Sequence, residues 1–190
     1  MRMPPLSPSE LNPRQKALYD EMKAGVGAKY QDFVTTRADG AFLGPWNVWL
    51  HQPEVGEAFW AVTKAMTAFR HLDDSVRQVA IIAVGAHFGA AYEVYAHSAV
   101  AKNRHAMSDA RLSTLSAGER PADLSISEAA ALDVVRALLK GGVLPERVYN
   151  NALELFGESG VRELIWLVGH YCSVSMTLNG FAIGVPEDEG

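Results

Sequence analysis

Cysteine is nearly missing from this chain. Its single thiol, Cys172, excludes an intramolecular disulfide, a CxxC redox pair and any site built on several thiolates. Set in an apolar segment beside Tyr171 and Val174, it is expected to behave as a small buried hydrophobe. Long apolar runs are missing too. No stretch approaches the roughly eighteen apolar residues of a membrane span, and the longest, Leu164 to Val174, contains His170. The opening residues MRMPPLSPSE carry no apolar segment of the kind a secretory signal or anchor needs, so a soluble, cytoplasmic protein without a membrane partner is expected. Basic clusters are also absent. With 17 basic and 22 acidic side chains the net charge is −5, and no Lys/Arg run tracks a phosphate backbone, which argues against nucleic acid as a partner. Finally, no segment sustains the period-two alternation of a half-buried strand.

What remains is helical patterning. A chain of 190 residues, 48% of them apolar, is long enough for one good core and short for two, so residues 1–190 are expected to form one domain. Asn12-Pro13 reads as an N-cap with proline at the first helical position, opening a charged helix to Gly25. Gly25 to Gly44 suits a long ordered loop of the kind that shapes a pocket. A short helix beginning at Gly44-Pro45 places Trp46, Trp49 and Leu50 inward and stops before Pro53. Pro53 opens a helix to about Arg70 with Val55, Phe59, Val62 and Met66 at helical spacing. Asp74 or Ser75 then caps VRQVAIIAVGAHFG, apolar on nearly every side and so placed at the centre of a bundle, and Gly89 ends it. Further helices follow from Ala90, from Ser108, from Ser127 with Glu128 as cap, from Pro145 to Gly157, and from about Ser159 to Phe181, before an acidic tail expected to fray. The fold class expected is all-α, a bundle of about seven to eight helices.

The chemistry-bearing stretch is AAYEVYAHSAVA, Ala90 to Ala101. Glu93 and His97 stand four residues apart and share a helix face, either as a proton-transfer pair or as a paired polar spot in a core. Tyr92, Tyr95, Trp46 and Trp49 offer pocket wall or packing. His87 and His170 are further histidines that a bundle can bring to the same place. Arg37 and Arg77 are the candidate carboxylate anchors. Among six histidines no third partner for Glu93 and His97 can be assigned, so no metal is expected.

The order of these pieces resembles the carboxymuconolactone decarboxylase family, all-helical proteins related to the alkylhydroperoxidase AhpD. GPWNVWLHQPEVGEAF, VRQVAIIAVGAHFGAAYEVYAHSAVA and ALLKGGVLPERVYNNALELFGESGVRELIWLVGHY carry the resemblance. It implies an AhpD-like bundle and a homo-oligomer, trimeric or hexameric. The peroxidase branch carries CxxC followed by histidine, with an upstream glutamate; laid on His97, that pattern puts Ala90 and Glu93 where the thiols would stand and Gln78 where the glutamate would. A thiol peroxidase is therefore not expected. The decarboxylase branch keeps the carboxylate and histidine without thiols. The resemblance thus implies a cofactor-independent lyase acting on a small ring carboxylate or lactone, with His97 as general acid/base, Glu93 orienting it, and Tyr92, Trp46, Gln78 and His87 at the substrate. A non-catalytic oligomeric binding or scaffold protein of the same fold is the alternative.

Overall fold

The computed structural model describes residues 2–186 apart from the side chain of Ala28, and the acidic tail expected to fray lies outside them. Eight helices run in the order α1 (Pro13–Lys29), α2 (Gly44–His51), α3 (Pro53–Met66), α4 (Asp74–Phe88), α5 (Ala91–His105), α6 (Asp109–Ser116), α7 (Ile126–Lys140) and α8 (Glu146–Gly180). Among the described residues there is no strand, only an isolated bridge between Thr36 and Phe42 in the α1–α2 connection. The all-α expectation holds. No helix is long and apolar enough to cross a membrane among the described residues.

Local chemistry sets the boundaries. Asn12 accepts from the backbone of Arg14 and Gln15, while Gln15 reaches back to the Asn12 amide at 2.9 Å, closing a capping box ahead of Pro13. The helix does not stop at Gly25. A Cβ there would lie 2.6 Å from the Trp60 ring, so this glycine serves close packing of α1 on α3 and the helix continues to Lys29. Likewise the α7 cap is Ser125 and not Ser127: Ser125 accepts from the Glu128 amide, and Glu128 accepts from the Ser125 amide at 2.8 Å. At α4, Asp73 occupies the N-cap position and Asp74 is already helical. Gly157 (φ 65, ψ 175) breaks α8 where two helices were expected to part.

The expected inward stripe of α3 is turned. Val55 and Val62 are exposed, whereas Gly56, Trp60 and Met66 are buried. Gly56 explains the rotation, because a Cβ on it would lie 2.3 Å from the Trp49 carbonyl oxygen. The bare backbone lets α3 close on α2, and Trp60 follows one turn later into the core.

Helix α4 packs against α5, α7 and α8, as its all-round apolar pattern demands. Two cores result. One is aliphatic, with Val76, Ile81, Val134, Val135, Leu164 and Leu167 between α4, α7 and α8. The other is aromatic, with Tyr19, Phe42, Trp46, Trp49, Trp60 and Tyr92 joining α1, α2, α3 and α5.

Candidate active site

Helix α5 starts directly behind the left-handed Gly89 (φ 62), leaving no slack between it and α4. A Cβ on Gly85 would stand 3.2 Å from that of Glu93, so the two helices cross closely and Glu93 is driven inward. Its side chain is buried, and Oε2 has no hydrogen-bond partner. Desolvation accordingly pushes the Glu93 carboxyl up to about 8, so it holds its proton at neutral pH.

His97 lies one turn on, with Nε2 3.5 Å from Glu93 Oε2. Its Nδ1 is 2.8 Å from Gln78 Oε1 on α4. An amide oxygen only accepts, so Nδ1 donates and Nε2 presents its lone pair to Glu93. Burial, then the nearby Arg77 and His170 charges, pull the imidazole down to about 3. The outcome is a neutral carboxylic acid facing a neutral imidazole base. The side chain that fixes the His97 tautomer is therefore Gln78, rather than Glu93 as expected.

These polar edges meet a cavity of about 40 Å³ whose walls include Phe33, Trp46, Trp49, Tyr92, Ala96 and Val174, with Thr63 and His170 at its margin. That is well below the roughly 300 Å³ of an ordinary ligand pocket. Phe33 stacks on Trp46 at 6.2 Å and 14°. The α1–α2 connection is held over the cavity at Val34, whose carbonyl accepts from the Tyr92 hydroxyl and whose amide donates to the Tyr95 hydroxyl, both at 3.1 Å. Tyr92 thus lines the cavity with its ring, and its hydroxyl is committed to the backbone. That ring also rests on Gly44 (φ +62), where a Cβ would lie 2.3 Å away.

On its other side His97 borders an open groove of about 550 Å³, lined also by Arg70, Arg77, Gln78 and Arg104. Tyr30, His97 and Tyr171 line both spaces. Arg77, which lines this groove, binds the Met66 carbonyl at 3.1 Å and Asp74 at 3.3 Å. Arg37 lines a different groove with Leu43 and Ile183. His87 is also elsewhere, in a cleft with Leu115, Leu132 and Arg136. The correction follows from helical geometry: nine residues at about 100° each put His87 on the face of α4 opposite Gln78. Cys172 is half-buried against the aliphatic core, and burial raises its thiol.

Sequence patterning missed Tyr30, Phe33, Thr63 and Tyr171 as cavity residues. A signal existed for two of them, since isolated aromatics in a polar Gly-rich loop need something apolar to cover. Among the described residues no three His, Cys, Asp or Glu side chains group as a metal site.

Residues 53–148 match the model of the carboxymuconolactone decarboxylase family. The chain belongs to that family. No curated protein matches the sequence. Among solved structures, an alkylhydroperoxidase AhpD core, an uncharacterized peroxidase-related protein from Ralstonia eutropha JMP134, is 18% identical with a TM-score of 0.78, covering 99% of this chain and 93% of that one. The debrominase Bmp8 is 14% identical with a TM-score of 0.73, covering 97% of this chain and 91% of that one. A cysteine-to-alanine variant of that debrominase, in complex with 2,3,4-tribromopyrrole, is 16% identical with a TM-score of 0.72, covering 98% and 92%. At such identities the likeness is one of fold. Within this chain the family match spans Gln78, Tyr92, Glu93 and His97, while Tyr30, Phe33, Trp46 and Trp49 precede it and His170 and Tyr171 follow it.

Proposed function

We propose that this family member is a cofactor-independent lyase that decarboxylates a small ring carboxylate or lactone by proton transfer. The observation that carries it is the neutral Glu93/His97 pair at the edge of an aromatic-walled cavity. Decarboxylation breaks a C–C bond, releases neutral CO2 and leaves an electron pair that passes into a neighbouring carbonyl; the resulting dienolate takes one proton at carbon. The pair supplies that proton. Glu93 gives it up, is left as a buried carboxylate without a cation, and recovers a proton from water, so one proton is consumed for each CO2 released. An apolar wall favours the step because it strips water from the departing carboxylate. Arg77, in the groove on the other side of His97, offers a cation that attracts a carboxylate. The fold's presence in a debrominase that holds a brominated pyrrole supports a small ring as ligand.

A cavity of about 40 Å³ is too small for such a ring as it stands, and this favours a second reading, a non-catalytic homo-oligomeric scaffold. Trimeric or hexameric assembly is part of both proposals, supported by Trp166 and Met176 on α8, which are 71% and 56% exposed. The test is CO2 release from carboxylated muconolactones in heavy water, with an organic peroxide and a physiological reductant as control. Release of CO2 with deuterium in the product bears the lyase out. Peroxide turnover, or no turnover together with no ligand-induced change in the fluorescence of Trp46 and Trp49, overturns it.

A further inference from the structure

The cavity has a second polar edge that the Glu93/His97 chemistry does not use. Thr63 of α3 donates its one hydroxyl proton to the Phe59 carbonyl at 2.9 Å, the back-bond common to helical threonines. Toward His170 of α8, whose Nε2 lies 3.4 Å from Thr63 Oγ1, the hydroxyl therefore has only lone pairs to offer. A bare Nε2 there would set lone pair against lone pair, so Nε2 carries the hydrogen and donates. At 3.4 Å the bond is long against the usual range of about 2.7–3.2 Å, and the N–H is open to a better acceptor. Ring contacts fix the imidazole plane: Tyr171 edge-on at 5.3 Å and Phe59 at 6.0 Å. Tyr171 also meets His97 edge-on at 5.0 Å, so one phenol separates two imidazoles that border the same cavity.

We propose that His170, positioned by Thr63, is a hydrogen-bond donor to a carbonyl oxygen of the bound ring, which makes the ligand class a carbonyl-bearing ring such as a lactone. This rests on the lyase proposal for its chemical purpose: the oxygen that receives the electron pair on loss of CO2 needs a donor, and a fixed neutral N–H suits it. Burial holds His170 down at about 4, so the donor is an uncharged imidazole and makes no ion pair with the carboxylate that must leave. Carboxylate and carbonyl are thereby sorted, the first toward Arg77 in the groove and the second to His170 in the cavity. Thr63 is a positioning residue.

The test uses furanone, a five-membered lactone, and dihydrofuran, the same ring without the carbonyl. Binding is read by Trp46/Trp49 fluorescence and hydrogen bonding by the infrared band of an isotope-labelled carbonyl. The intact protein is expected to bind furanone about tenfold tighter than dihydrofuran and to lower the carbonyl frequency. His170→Leu abolishes both effects, His170→Gln keeps part of them, and Thr63→Val weakens them with no change in the thermal melt. Equal affinity for the two rings, or an unshifted band in the intact protein, overturns the inference without any variant having to fold. CO2 release with an unshifted band would sink His170 alone, whereas a His170-dependent shift without CO2 release would sink the lyase and leave His170 standing.

Discussion

The aliphatic and aromatic cores do different work although both draw on α3 and α8. Between α4, α7 and α8 the side chains are Val, Ile, Leu and Ala, small branched units that interdigitate and fill space. Around α1, α2 and α3 the units are Trp, Tyr and Phe, flat and large, and where their edges meet they leave the cavity that Glu93 and His97 border. The family match cuts across both cores. Glu93, His97 and Gln78 lie inside residues 53–148, as do the cavity residues Thr63, Tyr92 and Ala96, whereas Phe33, Trp46 and Trp49 come from the unmatched N-terminal part. The segment matched by the family thus holds Glu93, His97 and one side of the cavity, and residues outside it supply the rest of the wall.

The comparison breaks most visibly at the pair itself. His97→Ala and Glu93→Gln are each expected to lower kcat/KM for CO2 release by about a thousandfold, measured in the steady state, with melting that shows a folded protein. Next in size is a contrast between the cores. Leu164→Ala, in the aliphatic core and fully buried, should cost about 3 kcal/mol in denaturant unfolding and leave furanone affinity unchanged; Trp46→Phe should cost less and change the affinity severalfold. Equal effects of the two on ligand binding would erase the distinction.

A smaller effect follows from pH. The folded protein holds the Glu93 proton up to about 8 against an ordinary 4.5, so the stability present below 4.5 is lost as pH rises toward 8. His97 runs the other way: lowered from 6.5 to about 3, its contribution is present above 6.5 and lost as pH falls. The two slopes oppose one another between 4.5 and 6.5, and only that of Glu93 acts from 6.5 to 8. Glu93→Gln should therefore remove a decline of about 1 kcal/mol per pH unit in that upper window, seen as unfolding midpoints that diverge from the parent with rising pH. The smallest effect belongs to the thiol: Cys172→Ala should leave CO2 release within about twofold, since Cys172 packs on the aliphatic core away from the transferred proton.

Helix order and class were legible because each helix carries its own signal in periodicity and caps. Most of the errors arose where a residue answers to a distant partner. Gly25 looks like a stop until Trp60 is seen against it, and Val55 and Val62 look like core until Gly56 is seen to admit α3 onto α2. Ser127 loses the α7 cap to Ser125 because Glu128 has to sit three residues after the cap to reach back. At the site, the Glu93/His97 spacing was local and readable. The Gln78–His97 hydrogen bond and the Thr63–His170 contact join different helices, so no window of sequence displays them. His87 was separable in principle, because its distance from Gln78 along α4 already sets it on the other face.

The central claim is that a protonated carboxylic acid faces a neutral imidazole inside this fold. Difference infrared spectroscopy of the intact protein against Glu93→Gln reads it directly. The expected result is a protonated carboxyl band that depends on Glu93, persists at neutral pH and titrates away near 8. An ionised Glu93 carboxylate already at neutral pH would contradict the account.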